Sequence, residues 1–286
     1  MAHTAQERYS SLVDAKLRAS LVTRDNFIFN NRYEGTPKAG KVKIPVRSTE
    51  VSAKDYNKAS GVDLDTGTTT YLDLDVNKDK AVNELIDGFD AASVPDGIVA
   101  ERLDSAGYSL ASVMDADSIM ALETGGTLNV GAASTSNTIY GAIVDARSAL
   151  SENGVPTEGR WLIVSPAIYG LLLKDTTNFI RQSDLSQELV QSGAVGKIAG
   201  FVVYESARLA KDDATITSGK KTTVEFIAGH PNWCHRVDEW SVPVHIQDLA
   251  GSGKYIGASA VQGRKVYGVK VSNKGAVYIK AVQATV

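Results

Sequence analysis

The segment Gly35–Lys41 is similar to a phosphate-binding loop of the pattern G-x-x-x-x-G-K-[ST], in which backbone amides and a lysine bind phosphates. Two features argue against that chemistry. Val42 stands where the pattern needs a hydroxyl for Mg²⁺. The residues after Lys41 alternate like a strand, whereas the loop needs a following helix to direct its amides at phosphate. The sequence therefore predicts no nucleotide site here.

A calcium loop is a second candidate, because oxygen-bearing side chains recur between residues 73 and 84. Five of the oxygen positions of such a loop are matched by Asp73, Asp75, Asn77, Asp79 and Glu84. Lys78 stands where the loop requires glycine, and it adds a positive charge. Outward-facing acids on a strand explain Asp73 and Asp75 without a metal. We expect no metal site, and a divalent ion near residues 73–84 stays the alternative.

Two further groups of residues could carry catalysis or bind zinc. His230, Cys234 and His235 lie within six residues, but structural zinc needs four ligands and no second pair has the usual spacing. Ser165 follows a predicted strand and precedes a predicted helix, as a nucleophile does in G-x-S-x-G. Its neighbours are Val164 and Pro166, and a proline has no N–H for an oxyanion hole. We expect no catalytic residue and no cofactor.

Composition limits the class of protein. The chain has 286 residues, 30 Lys and Arg against 33 Asp and Glu, a formal charge of −3 and a single cysteine. Interspersed charges do not indicate an electrostatic nucleic-acid binder. One cysteine excludes an internal disulfide framework and fits a reducing compartment. No stretch approaches the roughly 20 apolar residues that cross a bilayer, and residues 1–10 are polar, so we expect an intracellularly made, soluble protein.

The elements that would position any site are organised around one long helix, predicted from Ser93 to Gly125. Its apolar residues recur at helical spacing along one stripe, formed by Val99, Leu103, Ala106, Leu110, Val113 and Met120. Polar residues, Asp115 among them, fill the other faces. Pro95 suits the first turn, and Gly125-Gly126 ends the helix. From Pro95 to Thr124, at 1.5 Å per residue, the helix is about 45 Å long, which exceeds the width of an ordinary compact domain.

Residues 41–76 predict a long two-stranded finger. Val42, Ile44 and Val46 alternate with basic residues, and Leu72, Leu74 and Val76 alternate with acids. As an antiparallel pair the two strands would place opposite charges beside each other. The polar residues 48–70 between them have no sustained apolar face. Such a finger has little core of its own, so we expect another surface to receive it.

The remaining segments predict an arm and a mixed domain. Residues 1–40 carry a short amphipathic piece with Leu12, Leu17, Leu21 and Val22, followed by an irregular part, and indicate an arm. From about 130 to 245 helices and strands alternate, which favours an α/β module. Within it we predict strands at 161–164, at 197–204 with an interruption at Gly200, and at 222–228. Segments 264–271 and 276–282 flank a predicted hairpin turn.

Three segments occur in the order in which a known family has them. They are Arg160–Tyr169 followed by three leucines, Gly196–Ser206, and Gly263–Val271. With the finger and the long helix in this order, the chain resembles the major capsid proteins of tailed bacteriophages, the Hong Kong 97-like fold. The resemblance implies an α+β phage capsid fold with an N-terminal arm (1–40) and an extended β-hairpin loop (41–76). It also implies a peripheral domain holding the long spine helix (77–130, with return strands at 246–286) and an α/β axial domain (131–245).

The resemblance implies a structural subunit of an icosahedral head. It would form pentamers and hexamers with its own copies and enclose double-stranded DNA, which a near-neutral wall would contact weakly and non-specifically. A separate scaffolding protein, a portal and decoration proteins are the other expected partners, with no membrane. The expected location is the virion capsid, assembled in the cytoplasm of a host bacterium. The residues expected to hold the finger straight or to contact the next subunit are Lys41, Lys43, Arg47, Asp73 and Asp75.

Two other functions remain open at this point. A bacterial nanocompartment shell resembles the same fold but encloses an enzyme, and a cargo-binding groove on its inner face would favour it. A soluble α/β enzyme with a pocket in residues 131–245 is the third hypothesis. Against the enzyme stand the missing catalytic constellation and a finger that a monomeric enzyme would have no reason to carry. The sequence favours them in the order capsid, nanocompartment, enzyme.

Overall fold

The computed structural model describes residues 18–19, 21–23, 26–33, 40–46, 51–67, 69–89, 98–174, 180–181, 194–217, 220–250 and 253–283. The helices are α1 (Ile98–Gly125), α2 (Ile139–Glu152) and α3 (Pro166–Leu172). The strands are β1 (Lys41–Val46), β2 (Thr70–Asp75), β3 (Lys78–Ile86), β4 (Thr127–Val130), β5 (Trp161–Val164), β6 (Ile180–Arg181), β7 (Ala194–Ile198), β8 (Phe201–Glu205), β9 (Asp213–Thr217), β10 (Lys220–Gly229), β11 (Cys234–Asp248), β12 (Ser259–Val271) and β13 (Val277–Gln283). None of the helices in these ranges combines the length and the apolar character needed to span a membrane.

The larger sheet has the strand order β4-β13-β10-β5-β8-β7-β6, and β9 pairs with β10 beside this path. Its central strand β5 is buried along its whole length, as the apolar run Trp161–Val164 predicts. Helices α2 and α3 cover one face, where Ile143 and Leu172 pack with Phe226. The other face packs against the second half of α1 and the arm residues Ile28 and Phe29. The sheet is therefore a layer between two helical layers.

A second sheet has three antiparallel strands in the order β11-β12-β3. The first half of α1 covers one of its faces, where Leu103 and Ala106 pack with Val261. Helix α1 has 28 residues, which corresponds to roughly 42 Å. It therefore lies across both sheets, with its first half on the three-stranded sheet and its second half on the larger one.

The burial of α1 corrects the predicted stripe. Val113 and Met120, predicted as apolar contacts, are exposed, Met120 by 52%. The second half of the helix instead buries Met114, Asp115, Ser118, Ile119, Leu122 and Glu123. The buried face changes because the helix passes from one sheet to the other, and its two acids are buried because they accept hydrogen bonds from backbone amides of other segments. The described part of α1 lies within the predicted span, and residues 90–97 fall outside the described ranges.

Two strand predictions are wrong in connectivity. Residues 197–204 form two antiparallel strands, β7 and β8, because Ala199 and Gly200 both have positive φ, as a tight two-residue hairpin turn requires. Strands β12 and β13, predicted as a hairpin, lie in different sheets. A 3-10 turn at Lys274–Ala276 separates them, and β13 lies between β10 and β4 with its first three residues and Ala281 buried.

Glu123 gives the fold a dependence on pH. Its carboxylate is almost fully buried and its Oε1 accepts a hydrogen bond from the amide of Ala210 at 2.8 Å. Burial raises its pKa, the hydrogen bond from Ala210 opposes this change and the nearby charge of Asp213 adds to it, and the net pKa is about 7. The folded state therefore binds more protons than the unfolded state between pH 4.5 and 7, so the free energy of unfolding falls as the pH rises through that window.

We expect Glu123→Gln to stabilise the subunit at pH 8 and to flatten this pH dependence, because glutamine keeps an acceptor oxygen and carries no charge. The gain should reach up to roughly 3 kcal/mol at pH 8 and vanish near pH 4.5. Urea unfolding of the unassembled subunit at pH 5.5 and 8 measures it. Glu152→Gln, which changes an exposed glutamate of α2, is the control. An unchanged pH dependence in Glu123→Gln would show that another group is responsible.

Candidate assembly interface

The predicted finger has an antiparallel stem formed by β1 and β2. The register places Lys41 opposite Asp75, Lys43 opposite Asp73 and Ile44 opposite Leu72, which confirms the predicted pairing. The Nζ of Lys41 lies 3.3 Å from Oδ1 of Asp75 and 3.9 Å from Oδ2 of Asp73. One lysine thus faces both acids on the exposed side of the stem.

The other two predicted charges are placed differently. Lys43 is exposed, and within the described residues no carboxylate lies within 4.0 Å of its Nζ. Arg47 lies outside the described residues. The structure thus brings Lys41, Asp73 and Asp75 together as an ion-paired group and leaves Lys43 beside it. The roles of all five charges in assembly remain predictions.

The base of the stem is attached to the rest of the subunit by a small core. Ile44 and Leu74 are buried against Val237 of β11, with Tyr33 of the arm beside them. The Nζ of Lys270 on β12 donates to the carbonyl oxygen of Asp73 at 2.5 Å. Burial of these few apolar side chains fixes the direction in which the finger leaves the body, whereas the described residues 51–67 are all exposed.

Gly268 on β12 allows this close approach. A β-carbon at this position would lie 2.6 Å from the carbonyl oxygen of Asp75 and 2.6 Å from Cδ2 of Leu74. Gly268→Ala is therefore expected to push the stem off β12 and to destabilise the subunit by about 1–3 kcal/mol. The matched control is Gly107→Ala on α1, where the new methyl group meets no atom within 4 Å and should stabilise by up to about 1 kcal/mol. Thermal unfolding of both variants compares them, and equal melting temperatures would contradict the prediction.

The far part of the finger, residues 51–67, is exposed at every position. Its apolar side chains are among the most exposed in the described ranges: Leu64 is 98% exposed and Val51 is 94% exposed, with Tyr56 nearby in sequence. Local contacts hold its shape, since Lys54 pairs with Asp65 at 2.5 Å and Asn57 bridges to Gly61. A well-formed segment with uncovered apolar side chains is typical of a protein-binding element.

A second exposed apolar patch lies at one end of the three-stranded sheet, and the sequence analysis did not find it. It consists of Phe89, Tyr255 and Ile256, with Phe89 exposed by 79%, and it forms because Gly88 packs directly on Gly257. Leu85 and Ile246 are also exposed at this end, but they project from opposite faces of the sheet, because Leu85 pairs with Ala260 and Ile246 with Val261. The elements meet there because β3 pairs with β12 next to the connection between β11 and β12, and Leu249 donates to Ala258 across that connection. The sequence feature that could have indicated this patch is the apolar pair Tyr255-Ile256, which lies in a short segment between Gly253 and Gly257.

The residues considered for chemistry have structural contacts instead. The ring of His235 hydrogen-bonds Oδ1 of Asn30 through Nδ1 and Oγ of Ser272 through Nε2, both at 2.9 Å. Burial, with a smaller contribution from the charge of Arg32, lowers the pKa of His235 to about 4, so the ring is neutral at pH 7. Burial raises the pKa of the Cys234 thiol, which makes it unreactive. Both residues therefore help to bind the arm to β11.

Ser165 and Asp79, one of the residues weighed as calcium ligands, also have structural contacts. Ser165 is buried and caps α3 by accepting from the amide of Ile168 at 3.4 Å. Asp79 lies on strand β3, and its Oδ1 accepts from Nε of Arg264 at 2.8 Å. In the part of the chain that the structure describes, no group of three or more His, Cys, Asp or Glu side chains is placed to hold a metal ion.

Comparisons with known proteins agree with this geometry. A family model described as phage capsid protein matches residues 89–279, which is more than half of the chain. The search of curated proteins found no match. Among solved structures, one from Mycobacterium phage Che8 is 23% identical with a TM-score of 0.74, and the match covers 96% of each chain.

Two further structures share the fold at lower identity. The capsid of cyanophage P-SCSP1u is 15% identical with a TM-score of 0.75, covering 98% of this chain and 93% of that one. The mature capsid of bacteriophage PhiM1 is 16% identical with a TM-score of 0.68, covering 98% and 92%. These likenesses establish the fold over nearly the whole length of the chain and confirm the predicted α+β phage capsid architecture. With the family match, they place the chain in the phage capsid protein family.

Proposed function

We propose that this capsid subunit forms pentamers and hexamers that close into an icosahedral phage head around double-stranded DNA. The exposed finger is the observation that supports this most directly. Its far part exposes Val51, Tyr56 and Leu64, and among its described residues the buried apolar contacts with its own body lie at the base of the stem. Two-stranded elements with so little core are stable when another surface covers them, and a neighbouring copy of the same chain supplies that surface in a closed shell.

We further propose that the apolar end of the three-stranded sheet contacts other copies of the subunit. Phe89 and Ile256 are too exposed to contribute to the core of their own subunit, and clustered exposed apolar residues mark protein interfaces. The finger and this patch belong to different elements. A subunit with two separate contact regions makes head-to-tail contacts that close into rings and then join the rings.

The division into functional regions is also part of the proposal. We assign the arm to residues 1–40, the extended loop to 41–76, the peripheral domain to 77–130 and 246–286, and the axial domain to 131–245. Two elements connect the peripheral and axial parts: α1 covers both sheets, and β13 pairs with β10 inside the larger sheet. These shared elements favour a subunit whose two domains move little relative to each other.

A scaffolding protein, a portal and decoration proteins are proposed partners, and the virion capsid, assembled in the host cytoplasm, is the proposed location. The net charge of −3 supports weak and non-specific contact with packaged DNA, because tight phosphate binding needs many cations. The match to a phage capsid family favours this function over the nanocompartment shell. It also supports a structural role over an enzymatic one.

The test is the size of the purified full-length protein, measured by sedimentation velocity and by negative-stain microscopy of the same sample. We expect hollow shells or rings of five and six copies. A variant in which Gly-Ser replaces residues 51–67 keeps the stem and should remain a folded monomer. A native chain that stays monomeric at high concentration, with crowding agents and candidate scaffold present, would overturn the proposal. Shells of normal size from the Gly-Ser variant would overturn the proposed role of the finger.

A further inference from the structure

Asp115 is an acid in the middle of α1 that is only 2% exposed, and the shell function does not account for it. Its Oδ1 accepts three hydrogen bonds from two adjacent arm residues. They come from the amide of Val22 at 3.2 Å, the amide of Thr23 at 2.9 Å and Oγ1 of Thr23 at 2.7 Å. One carboxylate oxygen therefore holds Val22 and Thr23 on the long helix. Elsewhere Arg18 pairs with Asp104, the hydroxyl of Tyr108 donates to the carbonyl oxygen of Ala19, and Arg236 donates to the carbonyl oxygen of Thr23.

The second oxygen of Asp115 faces a different part of the chain. Its Oδ2 lies 3.2 Å from Nε of Arg208, as an ion pair outside hydrogen-bond geometry. Arg208 belongs to the connection between β8 and β9, residues 206–212, and its Nη2 donates to Oγ of Ser112 at 2.7 Å. The same connection contacts α1 again through the amide of Ala210 and Glu123. One buried carboxylate thus joins the arm, the long helix and a connection of the larger sheet.

The two contacts of Asp115 depend on each other. A carboxylate this deeply buried is stable in its charged form only when it is paired and hydrogen-bonded. Arg208 supplies the positive charge and the arm supplies the hydrogen-bond donors. If Arg208 moves away, the carboxylate loses its counter-ion, and water can enter and compete with the arm amides for Oδ1. Among the described residues, no hydrogen bond or ion pair joins Arg208 to the arm, so we expect the charge of Arg208 to act on the arm through Asp115.

We propose that Asp115 and Arg208 form a catch that couples the arm to the β8–β9 connection. While the connection lies on α1, the arm is fixed at Val22 and Thr23. When the connection moves away from α1, the hydrogen bonds from these two residues to Asp115 are released. Asp115 is the positioning residue of this catch, and Arg208 is the part through which a movement of the larger sheet reaches the arm.

Amide hydrogen exchange of the unassembled full-length subunit tests the catch. Arg208→Met is expected to increase exchange at Val22 and Thr23 at least tenfold. Exchange at Asn30, whose amide donates to Cys234 at 2.8 Å, should stay unchanged. Lys211→Met removes a cation from the same connection, at an exposed position, and should leave all three amides unchanged. Unchanged exchange at Val22 and Thr23 in Arg208→Met would overturn the proposal, as would an equal increase at Asn30.

Two further variants separate coupling from general destabilisation. Arg208→Lys keeps the charge, so it should keep exchange at Val22 and Thr23 within about threefold of the native rate. Asp115→Asn removes the negative charge with which Arg208 pairs. Adding Arg208→Met to Asp115→Asn should then change exchange by less than twofold, and a full tenfold further increase would rule out coupling through Asp115. Because the measurement uses unassembled subunits, its result does not depend on whether the protein forms shells.

Discussion

Asp73→Lys combined with Asp75→Lys is expected to stop shell formation while the subunit stays folded. In the native stem Lys41 lies within 4 Å of both acids, with Lys43 exposed beside them. The double variant would gather four lysines on two short strands and remove every opposite charge of this group. Exposed ion pairs each contribute only about 0–1 kcal/mol, so the body of the subunit should keep its stability. The stem has few other contacts, so repulsion should change the direction of the finger and prevent its contact with a neighbour.

The neutral variant Asp73→Asn with Asp75→Asn is the matched control, because it removes the ion pairs without adding repulsion. We expect it to assemble, with reduced yield. Circular dichroism checks folding, and sedimentation velocity with microscopy checks assembly. High salt should partly restore assembly of the lysine variant, since screening weakens repulsion between exposed charges. Normal shells from the lysine variant at low salt would remove these charges from the assembly mechanism.

Arg160→Met is expected to destabilise the subunit more than any other single change considered, by roughly 3–5 kcal/mol. Arg160 is only 2% exposed. Its guanidinium donates to the carbonyl oxygens of Pro156, Arg147 and Val155 and to the hydroxyl of Ser151, at 2.7–3.2 Å. These acceptors lie at and just beyond the end of α2. Methionine fills similar space but leaves four buried or partly buried acceptors without their donor.

Urea unfolding of the unassembled subunit measures this effect. The control is Arg147→Met, which removes an exposed arginine from α2 and keeps the backbone acceptor at that position. It should cost less than about 0.5 kcal/mol. Arg160→Lys should fall between the two, because one ammonium group cannot reach all four acceptors. A loss below 1 kcal/mol in Arg160→Met would mean that water replaces the guanidinium at these carbonyl groups.

The sequence predicted the elements whose conformation depends mainly on neighbouring residues. Alternating apolar residues with opposite charges identified β1 and β2 and their pairing, since cross-strand partners depend only on register. The continuous apolar run at 161–164 identified a strand buried on both faces. Ser165 followed by Pro166 identified the start of α3, because a cap and a missing amide act within one turn. The family resemblance depended on these elements and on their order.

Only the tertiary structure decided which elements share a sheet and which polar groups are buried. Strands β12 and β13 are adjacent in sequence and separate in space, since the partners of each strand come from distant parts of the chain. Asp115 stands in a polar pattern that predicts a solvent-facing position. Its burial depends on donors 92 and 93 residues away and on Arg208. Sequence alone determined the local conformations and their order, because these follow from neighbouring residues. The partners of buried charges follow from contacts between distant segments, and only the folded chain brings those segments together.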